Sequence, residues 1–385
     1  MSFEVHPEKG LVNRGNWYRI KECMRRARGG DRITIGFLGG SITQGAVAEY
    51  HSNCYAHLVF EWWEQKFPKT AFTYANAGIG GTTSQFGVAR VDRDLMVYNP
   101  DMVFIEFSVN DENTPFFKET YEGLVRRVYG NPLQPAVALI HNIMYDKGTT
   151  AQEIHQSIGE HYGLPCVCMK TTIYEEVKAG RIANRDITPD DLHPNTEGHA
   201  LVASVIINFL EKVYAELDID EEMPDEMPEP LTENCYEASI RYQNGIFYPN
   251  SFDNNVCTIL TQGFVPDMTP QKHLYEFFKN GWIAGKQGDS IRFEVEGSEL
   301  AVQYRKSVNQ PAPIATAVVD GDTEHAVILD ANFEETWGDC LFMQSLLVHG
   351  KPGIHTVEIT LTEVHENDAV PFYLVSLVAS KSKTS

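Results

Sequence analysis

The sequence predicts an α/β unit built on a parallel five-stranded sheet with flanking helices, of flavodoxin-like layout, followed by an antiparallel β-sandwich of jelly-roll type. Three observations carry this expectation. In the N-terminal part, short β-branched and aromatic runs alternate with segments of helical period, as in parallel strands covered by helices on both faces. Residues 218–233 then turn acidic and proline-punctuated, a composition from which no core can be built. After them apolar residues recur at every second position, the period of a half-buried strand.

Taken in order, residues 16–28 read as a helix stopped by Gly29 and Gly30, and the apolar run 33–38 as the first strand. A helix at 55–66 and a short strand at 72–77 lead to a glycine block, Gly78, Gly80 and Gly81, which opens a helix near 84–97. Residues 101–107 form the third strand. A helix near 116–128 precedes the fourth at 135–143, and a helix near 151–162 precedes the fifth at 164–169. His193 stands before Pro194, with Asn195 or Thr196 as the expected cap of an apolar helix running to about residue 214. Beyond the acidic stretch, Ile291, Phe293 and Val295 alternate with Arg292, Glu294 and Glu296, and Val357, Ile359 and Leu361 with Glu358, Thr360 and Thr362. Asp320-Gly321 between apolar runs is a hairpin signal. The expected division is 1–216 for the α/β unit, 217–234 for a linker and 235–385 for the sandwich.

Four separated fragments supply what acyl transfer needs: Gly39-Gly40-Ser41-Ile42-Thr43, Asn76 to Thr82, Ser108-Val109-Asn110-Asp111, and Asp190-Asp191-Leu192-His193. Ser41 follows a strongly apolar strand, where a glycine turn can lift its hydroxyl clear of the sheet. His193 is the candidate base, and Asp190 the carboxylate that orients it and stabilises the imidazolium. Asp190 is preferred over Asp191 because three-residue spacing in a turn brings two side chains to one side. The Ser41 and Gly81 backbone N–H groups and the Asn110 side-chain amide are the candidate oxyanion donors. Ser41, Gly81 and Asn110 all fall just past the C-terminal ends of strands, where open α/β sheets place ligands. Gln44, Asn113 and Trp17 are weaker candidates for lining the pocket. No lysine follows the glycines, so a phosphate loop is not indicated.

In order and spacing these fragments resemble the SGNH (GDSL-like) hydrolases, over about residues 30–215. The resemblance implies Ser41 as nucleophile, Gly81 and Asn110 as oxyanion residues, and His193 with Asp190 as base and orienter, with no metal or organic cofactor. Two positions depart from the family pattern: Gly40 stands where an Asp usually precedes the serine, and Ser108 where the third fragment usually has Gly. The Gly-Gly-Ser-Ile-Thr start is more similar to the carbohydrate O-acetylesterase branch. The two-unit layout resembles the mannan O-acetylesterases of carbohydrate esterase family seventeen, which implies acetylated oligosaccharides as substrate, including manno-oligosaccharides carrying 2-O-acetyl groups. An acetyl-xylan oligosaccharide esterase or a short-chain lipase or thioesterase would use the same fragments. From another class, an inactive sugar-binding protein stays open. In the second unit Trp282 and Trp337, with Tyr242, Tyr248 and Phe252, could stack on sugar rings, or else belong to the core.

A formal charge of −22, from 53 acidic against 31 basic residues, repels phosphate backbones and anionic lipid, so nucleic-acid and membrane partners are not expected. Residues 1–10 hold no apolar segment of the kind that directs export, and the expected location is cytoplasmic. Seven cysteines without regular spacing fit reduced, buried thiols. The chain is compatible with homo-oligomer formation.

Overall fold

Six strands make the sheet of the N-terminal unit: β1 (Leu11–Asn13), β2 (Ile33–Gly39), β3 (Phe72–Gly78), β4 (Met102–Glu106), β5 (Ala136–His141) and β6 (Cys166–Cys168), in the order β1-β6-β5-β4-β2-β3. The computed structural model describes residues 3–224, 226–244 and 257–382. Strands β2 to β6 are parallel, and β1 closes the β6 edge antiparallel. The five parallel strands are those the apolar runs predict. β1 is not among them, because Leu-Val-Asn is too short to show a period.

Helices α1 (Tyr18–Gly29), α3 (Tyr55–Lys66), α4 (Ser84–Asp94), α5 (Pro115–Tyr129), α6 (Gln152–His161) and α9 (Thr196–Ala215) cover the sheet, with short α2 (Ser41–Gln44), α7 (Ile173–Lys178) and α8 (Asn184–Ile187) between them. The α4 segment is shorter than expected: its last turn becomes the 3-10 turn Met96–Tyr98, closed by Asn99 at φ 51° before Pro100. Asn195 caps α9, its Oδ1 accepting the Gly198 N–H at 3.0 Å, which fixes where the chain turns from His193 into the helix.

Residues 217–234, read above as a linker, cluster with the N-terminal unit, which spans Met1–Asn234. The stretch is pinned rather than free. The Glu221 carboxylate accepts from Arg14 at 2.7 Å, from Lys21 Nζ at 2.9 Å and from the Trp17 N–H at 3.0 Å. Glu122 on α5 takes the Leu231 and Thr232 N–H groups at 2.6 and 2.8 Å. Composition reports only that such a stretch cannot form a core; it does not report that basic groups near the N-terminus will pair with it.

The second unit, Cys235–Ser385, is an antiparallel two-sheet structure. One sheet contains β7 (Ile240–Tyr242), β9 (Val265–Pro266), β10 (Trp282–Ala284), β12 (Glu299–Lys306), β15 (Cys340–Leu347) and β17 (Phe372–Ser380). The other contains β8 (Cys257–Gln262), β11 (Ser290–Gly297), β13 (Ile314–Val319), β14 (Val327–Asp330) and β16 (Gly353–Glu363). Ile291, Phe293 and Val295 of β11 are fully buried, as are Val357 and Ile359 of β16, so the alternating pattern is the inward face. Asp320 and Gly321 both have positive φ, at the start of the loop that turns β13 into its partner β14. All seven cysteines are reduced thiols rather than disulfide partners. Among the described residues no helix is long and apolar enough to cross a membrane.

Candidate active site

The apolar strand β2 ends in Gly39-Gly40, and the chain turns at once into the four-residue helix α2, whose first residue is Ser41. Both glycines are required by close approach. A Cβ at Gly39 would collide with the Thr43 hydroxyl and sit 2.5 Å from the Glu106 carbonyl, and one at Gly40 would collide with the Asn110 amide. This second contact gives the first family departure a local reason: Gly40 leaves room for Asn110 to lie against the backbone immediately before Ser41.

Ser41 Oγ is 2.8 Å from His193 Nε2, and His193 Nδ1 is 2.6 Å from Asp190 Oδ2. A carboxylate only accepts, so Nδ1 carries a hydrogen, and in the neutral ring this leaves the Nε2 lone pair facing the serine hydroxyl. Asp190 Oδ1 also accepts the His193 and Leu192 N–H groups at 2.8 and 3.1 Å, so one carboxylate fixes both the ring and the backbone that carries it. Partial burial works to raise the Asp190 pKa, but these hydrogen bonds and the nearby imidazole prevail and hold it below the usual carboxylate range. Asp191 is turned elsewhere. At φ 70° its carboxylate meets Asn184 and, at 2.7 Å, Arg185.

The other fragments converge on the same place. Asn110 follows β4, its Oδ1 buried against Gly40 with no hydrogen-bond partner among the described residues. Gly81 has φ 68°, a conformation glycine adopts freely, and its N–H has no partner among the described residues. Beneath them, Glu106 at the end of β4 is fully buried beside Ser108 and Thr43, and Thr43 Oγ1 lies 2.8 Å from the Tyr55 hydroxyl. Burial pushes Glu106 up to about 7, opposed by the polar groups of Ser108 and Thr43 beside it. Ser108, the second departure, donates to the Asn142 carbonyl at 3.0 Å and accepts the Ala151 N–H at 2.7 Å, joining the loops after β4 and β5. A glycine could not make the first bond. Asp111 takes the Ser84 N–H at 2.9 Å and pairs with His155 at 3.1 Å. Burial raises Asp111 to about 8 and lowers His155 to about 3. Most of these buried partners escape sequence reasoning because they lie far along the chain from the group they hold, as Thr43 does from Glu106 and His155 from Asp111.

The weaker candidates separate. Gln44 is half-buried beside Ser41, while Trp17 is buried at 2% exposure against Phe209, with its Nε1 on the Arg14 carbonyl, as a core residue. Asn113 lines a cavity of about 530 Å³ with Thr150, Gln152, Glu153, Gln156 and Lys170, next to the loops after β4 and β5. In the second unit Trp282 is 2% exposed and packs edge-on against Phe293, so it is a core residue and cannot stack on a sugar. Tyr242 is likewise buried. Trp337 is 58% exposed and remains available, whereas Tyr248 and Phe252 lie outside the described residues.

A serine hydroxyl on a carboxylate-oriented imidazole, with amide donors around it, can open an ester through an acyl-enzyme. The comparisons agree with this capability. Residues 37–201 match the GDSL-like lipase/acylhydrolase family. No curated protein matches the chain. A crystal structure of a two-domain esterase (CEX) active on acetylated mannans is 55% identical, covering 99% of this chain and 100% of that one, with a TM-score of 0.93. The same esterase co-crystallised with mannopentaose is 55% identical with full coverage of both chains and a TM-score of 0.92. An esterase of this identity and coverage fixes the assignment: the chain belongs to the GDSL-like lipase/acylhydrolase family, in its two-domain esterase form.

Proposed function

We propose that this esterase removes O-acetyl groups from oligosaccharides, with acetylated manno-oligosaccharides, including those acetylated at O2, as the preferred class. The observation that carries the chemistry is the chain of contacts from Ser41 Oγ through His193 to Asp190, 2.8 and 2.6 Å long. Ser41 Oγ attacks the acetyl carbonyl carbon while its proton passes to His193 Nε2. Asp190 stabilises the imidazolium, and the Ser41 and Gly81 N–H groups with the Asn110 amide receive the charge on the carbonyl oxygen. Collapse of the tetrahedral intermediate expels the sugar oxygen, which takes the proton from His193. Water then attacks the acetyl-serine by the same route and acetate leaves. No step needs a group beyond these residues.

The sugar assignment is supported by the 55% identical esterase active on acetylated mannans. It also agrees with the lining of the cavity beside Asn113, whose amides, carboxylates and Lys170 suit hydroxyl groups. Trp337 supplies an exposed aromatic face for a pyranose in the second unit. The test is a mass-spectrometric screen of acetylated manno- and xylo-oligosaccharides for loss of acetyl groups. Faster loss from the manno series is expected. Preference for the xylo series, or for butyryl and longer esters over acetyl, would contradict the reading.

A further inference from the structure

Gln44 lies three residues after Ser41 in α2, and three-residue spacing on a helix puts both side chains on one face. Its side-chain oxygen accepts the Gly80 N–H at 2.7 Å. Gly80 in turn lies against the nucleophile: a Cβ on it would be 3.6 Å from Ser41 Cβ and 3.0 Å from Gln44 Oε1. The glycine loop is held at two earlier points as well. Asn76 Nδ2 donates to the Thr43 carbonyl at 2.8 Å while its Oδ1 accepts the Gly78 N–H, also at 2.8 Å, and the Ile79 N–H bonds the Gly39 carbonyl at 3.0 Å. Gly78 runs so close to Gln44 that a Cβ there would strike the Gln44 backbone. Of the two successive glycine N–H groups at the end of this loop, the first is therefore occupied by Gln44 and the second, at Gly81, has no partner among the described residues.

We infer that Gln44 is a positioning residue for the oxyanion hole: by occupying the Gly80 N–H it fixes the loop so that the Gly81 N–H faces the developing oxyanion. This rests on the acyl-enzyme reading above. A donor works in proportion to how well it is aimed before the charge appears, because a loose one must be reoriented during the reaction. Gln44 touches no reacting atom in this account, so losing it should lower kcat and leave binding of the ground state alone.

The test compares Gln44→Ala and Gln44→Met with the wild type on p-nitrophenyl acetate, and measures the affinity of each for a small alkyl boronic acid that forms a tetrahedral adduct on Ser41. Methionine keeps the length and most of the volume but offers no comparable acceptor. Both variants should lose roughly 10- to 100-fold in kcat with KM within about twofold, and boronate affinity should fall in proportion to kcat/KM. Wild-type kcat in Gln44→Met, or a raised KM with unchanged kcat, would overturn the positioning role, leaving packing or substrate contact in its place. A wild type that neither turns over the ester nor binds the boronate would overturn the esterase reading and the Gln44 role with it.

Discussion

Asp190 and Asp191 are adjacent and chemically identical, and the backbone sends them to different partners. Asp190 holds the His193 ring and backbone, whereas Asp191, in the left-handed region, pairs with Asn184 and Arg185. Asp190→Asn should cost about 10³- to 10⁴-fold in kcat, since an amide can hold the imidazole in the wrong tautomer. Asp191→Asn should cost less than about tenfold, through the loop alone. Steady-state kinetics on p-nitrophenyl acetate decide it, and comparable losses in the two would mean that the carboxylate choice is wrong. The contact between Asp190 and His193 was legible in their three-residue spacing. The roles of Gln44, Glu106 and the Asp111–His155 pair were not, because each depends on contacts that only the sheet order brings about. Trp282 shows the opposite failure. Its residue type suits sugar stacking equally well in a core or on a surface, and only burial tells the two apart.

At the scale of elements, the long apolar and periodic segments were legible to within a few residues, as for α3 and β3, because burial on a sheet face leaves a repeating pattern. The short pieces β1, α7 and α8 carry no period and were not. The acidic stretch after α9 was misread because its partners, Arg14 and Lys21, sit some two hundred positions earlier. Lys21 is buried and its ammonium depends on Glu221, which is in turn held down to about 2, chiefly by the hydrogen bond from Arg14. Glu221→Gln should therefore cost roughly 3 kcal/mol in urea unfolding, since it strands a buried charge. A loss below about 0.5 kcal/mol would return the stretch to the status of a loose linker.

His199 accepts the Tyr55 N–H on Nδ1 at 3.3 Å and donates from Nε2 to the Ala46 carbonyl at 3.1 Å, a pattern only the neutral ring can make. Burial lowers its pKa to about 4. A histidine depressed in the folded state contributes stability above its unfolded value of about 6.5, and that contribution is lost as pH falls toward the folded value. Glu106 and Asp111, raised by burial, act with the opposite sign, so the informative quantity is a difference between proteins. Between about pH 6.5 and 4, His199→Gln should flatten the fall in unfolding free energy by up to about 1.4 kcal/mol per pH unit. Parallel pH curves for variant and wild type would mean that His199 is already charged in the folded protein.

Over the whole molecule, a family fold of the α/β type carries the chemistry and an antiparallel β unit accompanies it. If the exposed Trp337 holds the sugar chain, its binding energy reaches only substrates long enough to use it. Trp337→Ala should then lower kcat/KM on acetylated manno-oligosaccharides by roughly tenfold and leave p-nitrophenyl acetate hydrolysis within about twofold. Equal effects on both substrates would assign Trp337 a structural role. The central claim, that Ser41 carries the acetyl group in transit, is tested most directly by rapid acid quench of the enzyme during turnover of 2-O-acetylated manno-oligosaccharide, followed by peptide mass spectrometry. The mechanism predicts one added acetyl group on the peptide containing Ser41, absent in Ser41→Ala together with turnover. An acetyl group on another residue, or undiminished acetate release from Ser41→Ala, would contradict it.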